Sequence, residues 1–191
     1  MALEVLEQLS GLRGKLLAPF LFRINPVIVS VISLLFAIFT GYLFFLGSWT
    51  LGALMLVISS VLDALDGEIA RKYRIATKFG DLLDHTFDRI ADVAIFIGLA
   101  FNPQMPAILT LLALAAILLA SYAGTEAQAL TNKRLYTALV GRADRLVILF
   151  VAAIAMQFYP IAMFYAILAI GVLSVLTFFQ RTIQTALILR R

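Results

Sequence analysis

The chain of 191 residues has no cysteine, one histidine, one tryptophan and few charges, which make up only 14% of it. Each scarcity excludes something. Without cysteine there is no disulfide framework, no thiolate metal site and no cysteine nucleophile. The low charge accompanies 63% hydrophobic residues and a mean hydropathy of +1.02, far from the roughly 45–50% apolar and about 25% charged make-up of a soluble domain. Charge is also unevenly missing: residues 24–62, 93–125 and 146–180 carry none. Each run exceeds the ~20 residues with which one helix crosses a hydrocarbon layer of about 30 Å, so each reads as a hairpin of two spans. The runs are continuously apolar rather than alternating, which argues against a β-barrel.

Chain breakers fall where such hairpins turn: Gly47-Ser48-Trp49, the NPQMP of 102–106 and the QFYP of 157–160, with aromatic residues suited to an interface. The expected fold is an all-α integral membrane protein. Six transmembrane helices, at about 27–46, 50–71, 80–100, 106–129, 143–158 and 161–182, follow an N-terminal interfacial amphipathic helix. That first helix is expected over 1–23, where Glu4, Glu7, Arg13 and Lys15 mix with Leu6, Leu9, Leu12, Leu16 and Phe20 at helical spacing. The segment lacks the uninterrupted apolar core and small-residue cleavage site of a signal peptide.

None of the fifteen basic residues lies in a hairpin turn. By the positive-inside rule, both termini and the charged connections face the cytoplasm, and the net charge of +4 adds attraction to anionic membrane lipids. No soluble domain exists to carry a basic patch for nucleic acid. With no internal repeat or linker, 1–191 reads as one domain, a juxtamembrane helix (1–23) on a six-helix core (24–191).

Against this background the stretch LDALDGEIARKYRIATKFGDLLDHTFDRIAD, residues 62–92, holds twelve Asp, Glu, Lys and Arg residues, while the rest of the chain holds fourteen. Ionisable groups beside lipid are costly and are retained for function or pairing. Asp63, Asp66, Gly67 and Ala70 stand at i, i+3, i+4 and i+7, on one helix face. Asp84 and Asp88 form an i, i+4 pair on the next helix, and Asp81 and Asp92 extend that stripe. Any one of these acids alone reads best as a solvated helix end; four on two matching faces read as a cation site. Oxygen ligands without His or Cys suit Mg²⁺ or Mn²⁺, as one ion or a pair. Gly67, Ala70 and Gly80 are small where the acids face, and Arg71 offers a fork suited to phosphate, although close helix packing explains each glycine equally well. Asp92, about 16 Å deeper than Asp81, reads as a structural ion-pair partner. The lone His85 reads as a helix-packing or interfacial residue.

These residues resemble the signature of the CDP-alcohol phosphotransferase family, D-x2-D-G-x2-A-R-x8-G-x3-D-x3-D, with every fixed position and spacer matched from Asp63 to Asp88. The resemblance implies a reaction: a phosphate-linked lipid or other alcohol passes from a CDP-donor to an acceptor hydroxyl, releasing CMP. It implies Asp63, Asp66, Asp84 and Asp88 as metal ligands, Asp88 also as general base, and Asp66, Gly67, Ala70, Arg71 and Gly80 around the CDP moiety. It also implies a homodimer. One departure is the NPVIVS of 25–30, where many members place Asn after the proline and Thr at the end.

The signature is silent on the acceptor. Arg142 and Arg145 open helix 5 in GRADRL, Arg181 closes helix 6, and Lys133 and Arg134 lie between helices 4 and 5. Each suits a positive-inside anchor; together they suit an acceptor that carries its own phosphate. The stretch SYAGTEAQAL with GRADRL is similar to the archaetidylinositol phosphate synthases of the family, which implies inositol phosphate as acceptor and CDP-archaeol as donor. The related bacterial phosphatidylinositol phosphate synthases carry basic residues just after the tyrosine of helix 4, where this chain has Gly124 and Glu126, and glycerol phosphate is the rival acceptor. A cation or proton transporter is the alternative from a different class, though its site belongs near the bilayer midplane and in an inverted repeat.

Overall fold

The computed structural model describes residues 25–75, 77–131 and 139–190. Among them are six α-helices and no strand: α1 Pro26–Phe45, α2 Trp49–Lys72, α3 Lys78–Phe101, α4 Ala107–Thr131, α5 Arg142–Ala155 and α6 Ala162–Leu189. The expected interfacial helix over 1–23 lies outside the described residues, as do Lys133 and Arg134.

Two helix ends differ from expectation. The last helix runs to Leu189 rather than 182, because the TIQTALIL that follows Arg181 contains no breaker. Helix α5 stops at Ala155 rather than 158, since Pro160 disfavours helical backbone just before it. Elsewhere local chemistry sets the boundaries. The Asn25 side chain accepts from Val27 N at 3.0 Å and Pro26 takes the first helical position, where its missing N–H costs nothing. Gly47 supplies the positive φ (72°) of the α1–α2 turn. Thr77 Oγ1 accepts from Gly80 N at 3.0 Å and caps α3.

The three hairpin turns gather at one end of the molecule. Asn102 Nδ2, in the α3–α4 turn, donates to Phe44 O at 2.6 Å beside the α1–α2 turn, and Gln157 Nε2, after α5, donates to Thr50 Oγ1 at 2.8 Å at the start of α2. The charged ends of α2, α3, α5 and α6 therefore share the opposite end. Between the two ends, α1 packs on α2 and α3, α4 packs on α3 and α6, and α5 joins α2 to α6. Helices α1 and α3 touch backbone to backbone: a Cβ placed on Gly98 would stand 1.9 Å from Gly41 O. Ser33 and Ser59 exchange hydrogen bonds with each other's carbonyls, at 2.9 and 3.0 Å, across α1 and α2. The apolar core is built on Phe44, Leu56, Phe96, Ile117, Leu149 and Ile167.

The outer faces of the bundle are apolar as well; Leu35, Leu112, Val151 and Val172 all stand exposed. Three helices, α1, α4 and α6, are long and apolar enough to cross a membrane. The others fall short for identifiable reasons. Helices α2 and α3 carry the charged stretch at one end, and α5, with 14 residues, rises only about 21 Å.

Candidate active site

The last turns of α2 and the first turns of α3, both packed on α1, present the acids of the signature toward one another. One carboxylate oxygen from each of Asp63, Asp84 and Asp88 lies within 4.8 Å of the others. Asp66 is buried and turned to α1, where it accepts a hydrogen bond from Ser30 Oγ at 2.5 Å. Three of the four acids thus form the cluster, and the fourth ties it to α1 through Ser30, one of the two positions at which NPVIVS departs from the family pattern. Arg142 reaches in from α5, its Nη1 2.7 Å from Asp63 Oδ2 and ion-paired also with Asp88. The Asp88 oxygen that faces Arg142 is the buried Oδ1. Convergent carboxylates with no His or Cys in the cluster fit a hard divalent cation, and Arg142 supplies positive charge to the same acids.

Two cavities flank this cluster. The first, about 630 Å³, lies between α1, α2 and α3 and brings together Asp66, Gly67, Ala70, Arg71 and Gly80, the five residues expected around the nucleotide, with Asn25 and Ser30. Gly67 stands beside the Arg71 guanidinium, whose Nη1 a Cβ would meet at 3.5 Å. Arg71 itself pairs with Glu68 at 2.8 Å and remains largely exposed. The second, about 480 Å³, lies between α3, α4, α5 and α6 and gathers Arg142, Arg145 and Arg181 with Arg89, Ser121 and Gly124. His85 lines both cavities and is exposed, so it stands where they adjoin rather than packing between helices.

The arginines of the second cavity are held in different ways. Arg145, 5% exposed, pairs with Asp92 at 2.8 Å, which gives Asp92 the structural role its depth suggests. Arg181 Nη1 donates to Ala120 O at 2.7 Å. The Nε atoms of Arg142, Arg145 and Arg181 are all buried without a hydrogen-bond partner. The three side chains nonetheless line one cavity, and a lining of guanidinium groups suits an anionic occupant. Arg89 is a fourth cation that sequence reasoning did not single out. It donates to Ser121 Oγ and lies 3.6 Å from Asp88 and 3.8 Å from Asp92. The signal was present in its spacing, i+4 from His85 and i−3 from Asp92, but the acids around it masked it.

An all-helical scaffold with an acid cluster suited to a divalent cation, and a cavity on either side of it, has room for two ligands beside a metal. The family follows from comparison with known proteins. The CDP-alcohol phosphatidyltransferase model matches residues 23–187, and the chain belongs to that family. It is therefore an enzyme, a transferase of phospholipid biosynthesis, and the transporter reading is set aside. The archaetidylinositol phosphate synthase of Pyrococcus horikoshii is 30% identical over 171 residues, 90% of this chain and 87% of the relative. A crystal structure of Mycobacterium tuberculosis phosphatidylinositol phosphate synthase with CDP-DAG bound superposes with a TM-score of 0.76 at 28% identity, covering 90% of both chains. A second structure of that enzyme, in complex with manganese and citrate, superposes at 0.77 and 29% identity, covering 90% of this chain and 86% of the other.

Proposed function

We propose that this enzyme transfers an archaetidyl- or phosphatidyl-type group from a CDP-lipid to a hydroxyl of inositol phosphate. The observation that carries the reading is the pair of cavities on either side of Asp84 and Asp88, one lined by the nucleotide motif and one by four arginines. The likeness to the archaetidylinositol phosphate synthase supports the same acceptor.

The acceptor oxygen forms a new bond to the lipid-bearing phosphorus while the phosphoanhydride bond to CMP breaks. Asp88 takes the hydroxyl proton, as a base poised between the cavities. Asp63, Asp66, Asp84 and Asp88 hold Mg²⁺ or Mn²⁺, as a pair of ions; when bound, the metal neutralises charge on the diphosphate and on the departing CMP. Gly67, Ala70 and Gly80 let the nucleotide approach the backbone, and Arg71 faces its phosphates. Arg142, Arg145 and Arg181, with Lys133 and Arg134, bind the acceptor's phosphate.

The single domain crosses the membrane six times, with the shorter apolar lengths of α2, α3 and α5 completed by their turns and charged ends. Both termini and the active site lie at the cytoplasmic face, and two copies form a homodimer. This places a lipid tail in the bilayer while its CDP head meets the metal and a water-soluble acceptor.

The test is CMP release by the purified protein with Mg²⁺ or Mn²⁺ and a CDP-lipid, with inositol phosphate, glycerol phosphate, free inositol and serine compared side by side. Inositol phosphate is expected to be preferred. Preference for glycerol phosphate would replace the acceptor and keep the phosphate pocket, whereas preference for free inositol or serine would remove the pocket as well.

A further inference from the structure

We propose that Gly124 is a positioning residue for the acceptor: the side chain it lacks is the space in which the Arg181 guanidinium lies. The inference rests on the reading of the second cavity as the acceptor site.

Gly124 sits within the long helix α4, where glycine is a poor helix former and where its conformational freedom is unused. The sole positive-φ glycine among the described residues is Gly47. A close helix crossing does not explain it either. A Cβ built at Gly124 would meet no backbone atom among its three nearest neighbours; all three belong to Arg181, with Nη1 at 2.7 Å, Cζ at 3.2 Å and Nε at 3.6 Å. Gly98 is the contrast, since its missing Cβ makes room for the Gly41 backbone. What Gly124 accommodates is one guanidinium, reaching across from α6.

That guanidinium is fastened where the notch puts it. Arg181 Nη1 donates to Ala120 O, the carbonyl one turn earlier on α4 whose other partner in a regular helix is the Gly124 amide. The tie fixes one edge of the fork and leaves Nε–H buried and unpartnered in a side chain that lines the cavity. Neighbouring Ser121 receives Arg89 from α3. One turn of α4 thus sets the position of two arginines arriving from different helices, and Gly124 is the condition for one of them. A methyl at 124 would push Nη1 off Ala120 O. The displaced group is the far end of a flexible side chain, so the helix need not move, and alanine is the better helix former. The substitution reaches function without threatening the fold.

The experiment is a double-mutant cycle on Gly124→Ala and Arg181→Ala in the purified full-length protein. It measures KM for inositol phosphate and for CDP-lipid, calorimetric binding of inositol phosphate, and the melting temperature in detergent. Gly124→Ala is expected to raise the inositol phosphate KM by about tenfold, the scale of a lost charge-assisted hydrogen bond. The CDP-lipid KM should hold and the melting temperature should not fall. In the Arg181→Ala background the glycine substitution should add nothing. If Gly124→Ala leaves the acceptor KM at the wild-type value while Arg181→Ala raises it, the positioning role is overturned and the acceptor site stands. A Gly124→Ala effect that persists without the arginine overturns the role too. An acceptor KM unmoved by Arg181→Ala removes the reading on which the proposal rests.

Discussion

On one side of α3, Asp63, Asp66, Gly67, Ala70 and Arg71 come from neighbouring turns of a single helix and face Gly80 and Asp84 across one short connection. On the other side, Arg89, Arg142, Arg145 and Arg181 come from three helices separated by long stretches of chain, and meet only because α3 and α6 pack on α4 and α5 packs on α6. The first cavity is specified by helical periodicity, the second by tertiary packing. A site of the first kind survives sequence drift as long as its spacing does. A site of the second kind can be retuned by any residue that moves a long side chain, which suits a family with a shared donor chemistry and varied acceptors.

The comparison can be broken at several points, the most severe first. Asp88→Asn should lower kcat by about 10²–10⁴-fold, the usual worth of a general base. Metal-dependent binding of CDP-lipid should largely remain. Near-normal turnover would take the base out of the α2–α3 cluster. Next comes the second cavity's foundation: Asp92→Asn leaves Arg145 buried without a counter-charge, at a cost of about 3 kcal/mol that should appear as a lower melting temperature in detergent. Adding Arg145→Met should recover much of that stability, and an unchanged melt in the single variant would mean that the pair is not what seats the arginine. Arg181→Ala should raise the acceptor KM by about tenfold while sparing the donor KM, the mirror image of a nucleotide-side lesion. Equal effects on both constants would merge the two cavities into one site. The mildest is Ser30→Ala, which removes the hydrogen bond to Asp66 and should weaken CDP-lipid binding a few-fold, from a loss of about 1 kcal/mol. An effect on the acceptor KM instead would move Asp66 to the other side.

What could be read before folding follows the same division. The helices and turns were legible because breakers punctuate long apolar runs; Pro160, Asn102 and Gly47 stand where the turns are. The end of α6 was not, because Arg181 read as a cytoplasmic stop when it is a mid-helix residue whose side chain turns inward. The i, i+3 pair of Asp63 and Asp66 and the i, i+4 pair of Asp84 and Asp88 grouped four acids in advance; Asp63, Asp84 and Asp88 converge, and Asp66 turns to Ser30. The bond from Ser30 to Asp66, and the pairing of Arg142 with Asp63 and Asp88, join residues far apart in the chain, which no local period encodes. Arg145 was picked out as a ligand-binding cation, and its commitment to Asp92 emerges only when α3 and α5 are placed together.

The contact of Gly41 with Gly98 has a mechanical meaning for the cavity between α1, α2 and α3. With no side chain between the two backbones, α1 and α3 meet at a fulcrum near the hairpin turns. From it each helix extends as a lever arm, about 17 Å along α1 to Ser30 and about 21 Å along α3 to Asp84. A relative tilt of about 4° at such a fulcrum would shift Ser30 by about 1 Å, enough to widen or narrow the cavity between α1, α2 and α3. A methyl group at position 98, far from every carboxylate, would act as a wedge under that lever.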